Sequence, residues 1–195
     1  MTAKVFFFTL LFSLSLLSLT LSDKCQTLTD LPRNCDFYDQ CLEEKYHCGS
    51  KGYPIGYGSR YCNKFLDNYS EFSSQGQAWV DKTLLCLKSF LLNDITENPE
   101  ISCRNIFDDA FDSHPDCYVQ SGFCDIMLDD TWNSVKALVQ VYELRDFTNL
   151  TSIRQILSTA RQCSSEVFDR MVKALKDILG VPLFAEADFE LMAYS

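Results

Sequence analysis

Ten cysteines in a chain of 195 residues, all of them beyond an apolar N-terminal run, constrain this sequence more than any other feature. Residues 5–21 carry no charge and are rich in Phe and Leu, with Lys4 ahead of them. Thr20 and Ser22 put small residues at the −3 and −1 positions before Asp23, as signal peptidase requires. The run approaches the length that spans a bilayer, yet Ser and Thr interrupt it and no basic stop-transfer flank follows. We read 1–22 as a signal peptide. No second hydrophobic span follows it, so the expected product is secreted and extracellular, with no membrane span. On that oxidising route an even cysteine count forms bridges. The alternative, a metal site, needs close C-x-x-C pairs, commonly with His, and the chain has none. The ten are Cys25, Cys35, Cys41, Cys48, Cys62, Cys86, Cys103, Cys117, Cys124 and Cys163. Spacing alone leaves on the order of a thousand pairings open for ten cysteines. Two sequons fit the same route, Asn68-Tyr69-Ser70 and Asn149-Leu150-Thr151, and both are expected on the surface.

Beyond Asp23 the apolar periodicity is helical. A short helix is predicted over 36–46, with Phe37, Cys41 and Leu42 on one face. Four of the seven glycines and Pro54 fall in 49–60, which reads as a loop. Helix resumes over 62–72 and again over 77–92, where Val80, Leu84, Leu87 and Leu91 share a stripe. Gly76 between them is expected to close the first of these two helices in a left-handed conformation. Asn98-Pro99 ends the second. Ile106, Phe107, Ala110 and Phe111 form the inward face of 103–112. His114-Pro115 is expected to break the chain and start a helix running to Leu128. Trp132, Val135, Val139 and Tyr142 line the next. Ile153, Ile156, Leu157, Ala160 and Cys163 line another, and Phe168, Met171, Leu175 and Ile178 continue the pattern to a stop at Gly180 and Pro182. The fold class is therefore all-α: a compact, disulfide-stapled bundle of short amphipathic helices over 23–180, with an acidic tail at 181–195. Helices this short are marginal alone in water, so packing and bridges must hold them.

Charge narrows the partners. The net charge is −10 and the basic residues are scattered, so the chain cannot neutralise phosphates at scale and no nucleic-acid partner is expected. Catalytic signals are equally thin. The two histidines, His47 and His114, have no HExxH, GxSxG or P-loop context, and we assign no catalytic residue. The Gly56–Cys62 stretch looks superficially like the calcium loop of a secreted phospholipase A2. That family's catalytic helix needs a His-Asp pair, whereas His47 precedes Cys48 and His114 precedes Pro115. Asp108, Asp109, Asp112 and Asp116 form an acidic cluster. One short helix cannot surround a calcium ion, so neither a metal nor a cofactor is expected.

One segment is more specific. In 62–86, Cys62, Phe65, Leu66, Phe72, Gln75, Gly76, Ala78, Val80, Leu84 and Cys86 resemble the central segment of the stanniocalcin family, with Trp79 where the family often has Phe. The cysteine order resembles the family's from Cys25 to Cys163. The resemblance implies the pairing Cys25–Cys41, Cys35–Cys62, Cys48–Cys103, Cys86–Cys117 and Cys124–Cys163. It also implies a secreted, hormone-like glycoprotein, not an enzyme, that regulates calcium or phosphate homeostasis by binding an extracellular receptor or target protein. A secreted helical binding or inhibitory module without a hormone role is the alternative. Two departures stand out. The C-terminal cysteine that joins two subunits in relatives has no counterpart after Cys163, and the family's sequon between its third and fourth cysteines is missing from 42–47. A disulfide-linked dimer is thus not expected. A noncovalent homodimer through the Phe168, Met171, Leu175 and Ile178 face stays open beside packing of that face on the chain's own core.

Overall fold

The computed structural model describes residues 24–142 and 150–179. The described residues are helical almost throughout and include no strand. After a helical turn at 24–29 come a π-helical turn, Tyr38–Glu43, extended by Glu44–Tyr46, and a second π-helical turn, Tyr53–Ser59. The longer helices are α1 (Arg60–Asp67), α2 (Ser74–Glu97), α3 (Cys103–Gln120), α4 (Phe123–Asp129), α5 (Thr131–Val141), α6 (Leu150–Cys163) and α7 (Ser165–Leu179).

Local chemistry sets these boundaries. Ser73 caps α2 by accepting the Gly76 amide at 3.1 Å, and Ser102 caps α3 by accepting that of Asn105 at 3.2 Å. A serine oxygen at this position satisfies a helix-start donor that has no partner within the helix. Asp130 and Ser164 do the same for α5 and α7. Gly122, at φ 106°, carries the turn between α3 and α4, a conformation that side chains resist.

Three expectations change here. Gly76 is not left-handed; it sits in the first turn of α2, because the Ser73 hydroxyl starts the helix before it. Nor does His114-Pro115 break the chain: α3 runs through Pro115 to Gln120. Proline removes one ladder hydrogen bond, and here the helix continues because Cys117 and Tyr118, just beyond it, are buried. Part of the glycine-rich 49–60 segment is also ordered as the π-helical turn rather than as an irregular loop.

The core centres on α2, whose Trp79, Val80, Leu84, Leu91 and Ile95 are buried. Trp79 is ringed by Phe65, Phe72, Tyr118 and Phe123 at centroid distances of 5.7–6.2 Å, and its indole N–H donates to the Tyr118 carbonyl at 3.1 Å. An indole buried this deeply needs such a partner. Helix α7 packs Val167, Met171, Val172, Ala174 and Leu175 inward. The face considered for a homodimer is therefore largely covered by the chain's own core. Trp132 instead points outward, because Ser134, Val135, Ala137, Leu138 and Val141 form the buried face of α5. Residues 1–22 and 181–195 lie outside the described residues.

Candidate functional site

Five disulfides tie this architecture together: Cys25–Cys41, Cys35–Cys62, Cys48–Cys103, Cys86–Cys117 and Cys124–Cys163. They leave no free cysteine. The first three anchor the N-terminal turns to one another, to α1 and to α3. The fourth joins α2 to α3 and the fifth joins α4 to α6. Reach along the chain differs, from 16 residues for Cys25–Cys41 to 55 for Cys48–Cys103.

The sequon at Asn68 lies where α1 ends. Asn68 is half-buried, more covered than its sequence context suggests, and its side-chain amide donates to the Lys64 carbonyl at 2.9 Å. A glycosylated carboxamide keeps one N–H, enough for that bond. The next residue is clamped. The Tyr69 hydroxyl donates to Asp81 at 2.9 Å, and the Arg33 guanidinium grips the same carboxylate at 2.8 and 2.9 Å while lying 4.3 Å from the Tyr69 ring centre. The Arg33 contact holds the Asp81 carboxyl below the usual carboxylate range. Ser70, the acceptor's partner in the sequon, is exposed. Asn149 lies outside the described residues.

Immediately after this clamp, the chain borders a groove of about 330 Å³. Glu71 and Ser73 line one side; Asp130, Asn133, Lys136 and Gln140, from α5 and its cap, line the other, over Phe72 and Ala137. Asn133, Lys136 and Gln140 recur at helical spacing and are exposed.

The histidines fall in different surroundings. His47 ends the short Glu44–Tyr46 helix in a left-handed conformation, at φ 49°. His114 is buried, correcting its expected place in a turn. Its Nε2 lies 3.1 Å from the Tyr53 hydroxyl and its ring stacks on Tyr118. Tyr38, Tyr53, Tyr57, Tyr61 and Tyr142 complete this aromatic interior, where the remaining free space, about 20 Å³, suits one water. The His114 side chain is packed among these rings at 1% exposure. In the acidic cluster, Asp108 pairs with Arg104 at 2.7 Å. Among the described residues, no group of three or more His, Cys, Asp or Glu side chains is placed to hold a metal ion.

Sequence reasoning missed Lys88. It lies on the apolar face of α2, fully buried, and its ammonium donates to the carbonyls of Leu28, Leu31 and Asn34. Burial lowers its pKa to about 8, with Asp30 pulling the other way. The signal was present: Lys88 follows Leu84 by four residues and precedes Leu91 by three, so it shares their face. The Arg33–Tyr69–Asp81 clamp joins residues up to 48 apart, and no local pattern announces it.

What the fold and its chemistry define is a disulfide-stapled helical protein with a buried lysine and a buried histidine inside its core and a polar clamp and groove on its surface. A family model described as the Stanniocalcin family matches residues 25–186, and the chain belongs to that family. The family is a hormone-type, secreted family rather than an enzymatic one. No curated protein and no solved structure matches the chain significantly.

Proposed function

We propose that this chain is a secreted, hormone-like glycoprotein that regulates calcium or phosphate homeostasis by binding an extracellular protein partner. The observation that carries this reading is the family match over 25–186, which takes in all ten cysteines. The match begins at residue 25, which supports removal of 1–22 as a signal peptide; 23–180 is then the helical domain and 181–195 its acidic tail. N-glycans at Asn68 and Asn149 belong to the same reading. A protein partner suits a molecule that offers surface polar clusters, since exposed side chains held in fixed geometry lower the entropy lost on binding.

The test is direct. The glycosylated protein, purified from culture medium, is applied to ion-transporting epithelium while calcium and phosphate fluxes are followed. A saturable change in either flux, together with one extracellular protein captured stoichiometrically, is the expected result. Partner capture with both fluxes unmoved at saturation would overturn the hormone role and favour the inhibitory module.

A further inference from the structure

The groove between 71–73 and α5 lies beside the Asn68 sequon, and its chemistry is not that of a docking face for an apolar helix. Its reachable groups are the Glu71 carboxylate, the Asn133 and Gln140 carboxamides, the Lys136 ammonium and the Asp130 carboxylate. These are donors and acceptors of mixed kind, with both signs of charge, which suits a neutral ligand bearing hydroxyl and acetamido groups. Of them, the side chains of Glu71, Lys136 and Gln140 have no hydrogen-bond partner among the described residues. Trp132 does not line the groove itself, but it is exposed and lies one helical turn before Lys136, near enough for a sugar beyond the groove to meet it.

We propose that this groove seats the first sugars of an N-linked glycan carried by Asn68. The inference rests on the secreted-glycoprotein reading above. Distance allows it. Glu71 is three residues from Asn68, so the two backbones lie within about 10 Å even if fully extended. The turn between them is 3-10 helical and shorter still. The volume, about 330 Å³, lies at the small end of ligand sites and suits one or two sugar rings. The attachment point is also held: the Asn68 amide is bonded to Lys64, and Tyr69 is locked against Asp81 and Arg33, so the glycan stem leaves the chain in a fixed direction. The seated stem would cover the cap of α2 at Ser73 and the start of α5 at Asp130. It would leave its outer branches free.

The experiment uses the full-length protein secreted from glycosylating cells. Site-specific glycopeptide mass spectrometry measures the occupancy of Asn68, and the rate at which a glycosidase cleaving next to Asn68 releases the glycan from the native protein is compared with the variants Lys136→Ala, Gln140→Ala and the double variant. These side chains are exposed, and near-ultraviolet circular dichroism confirms that the variants stay folded. The expected result is slow native release from the wild type and release about tenfold faster from the double variant, equivalent to losing one or two hydrogen bonds. In the unmutated protein, glycan removal should also alter the fluorescence of exposed Trp132. Equal release rates and unchanged fluorescence, with Asn68 occupied, would overturn the seated glycan and leave the glycoprotein reading intact. An unmodified Asn68 in the secreted protein would overturn both the seat and the assignment of that sequon.

Discussion

Lys88 shows how much one residue can decide. Its ammonium takes a place that a bound cation could otherwise fill, holding three carbonyls of the 28–34 segment against α2. An unfolded lysine keeps its proton to about pH 10.5, whereas the buried one releases it near 8. Between those values the unfolded chain binds the proton that the folded chain has lost, so this group's contribution to stability rises with pH. Below pH 8 both states carry the charge and the full cost of burying it stands. Above about pH 10 the buried tyrosines work in the opposite direction: burial raises Tyr118 to about 12 and raises Tyr53 and Tyr142 too, so their stabilising effect is lost as pH climbs. Denaturant unfolding between pH 8 and 10 therefore isolates Lys88. Relative to Lys88→Met, the wild type should gain about 2 kcal/mol across that window; parallel profiles would show that the amine titrates as if exposed. Lys88 was legible only in part, because its place on the apolar stripe is written in α2 while its three partners lie 54–60 residues away.

At the scale of elements, the sequence was most legible where periodicity is local. The stripe Val80, Leu84, Leu87 and Leu91 is buried in α2, and no distant residue is needed to foresee it. Errors gathered at glycine, proline and histidine, whose local preferences yielded to packing. Gly76 carries a turn signal, but the Ser73 cap decides where α2 starts. The 49–60 segment reads as a loop from composition, yet Gly52, Gly56 and Gly58 serve close contact, while Gly49, at φ 79°, uses glycine's conformational freedom. A Cβ on Gly58 would sit 2.4 Å from the Tyr38 ring, and Tyr38 is 1% exposed with Tyr53 packed edge-on against it. Gly58→Ala should therefore force Tyr38 out of its place and cost about 1–3 kcal/mol, as overpacking of a closed core does. The check is thermal unfolding of the oxidised protein, followed by near-ultraviolet circular dichroism. An unchanged midpoint would mean that the Tyr38 ring can move aside freely. The candidate site was the least legible element-level feature: the Asn68 sequon was readable, but the groove beside it needs 71–73 and α5 to meet, and they are about sixty residues apart in sequence.

For the whole molecule, the bridges determine what can be joined to what. All ten cysteines close within the chain, and α7 turns Met171 and Leu175 inward at 0% and 6% exposure. The five bridges leave no thiol for a covalent dimer, and most of the apolar face of α7 is turned to the chain's own core. A stable dimer needs about 800 Å² of well-packed surface from each partner. Among the described residues the large exposed apolar side chains are Leu31, Phe90, Leu128 and Trp132, and only the last two are near neighbours in sequence. Single apolar residues of this kind are ordinary on a surface. The secreted protein should therefore run as a monomer on non-reducing denaturing gels and show no titratable thiol after denaturation. Static light scattering at micromolar concentration should give the mass of one glycosylated chain. A reducible dimer band would mean that at least one internal bridge is open and its cysteine exchanged to a second chain. A native dimer with all thiols blocked would instead place the shared surface outside α7. Hydrogen exchange of Met171 and Leu175 separates that case, because their amides, inside the fold of one chain, should stay protected on dilution to monomer.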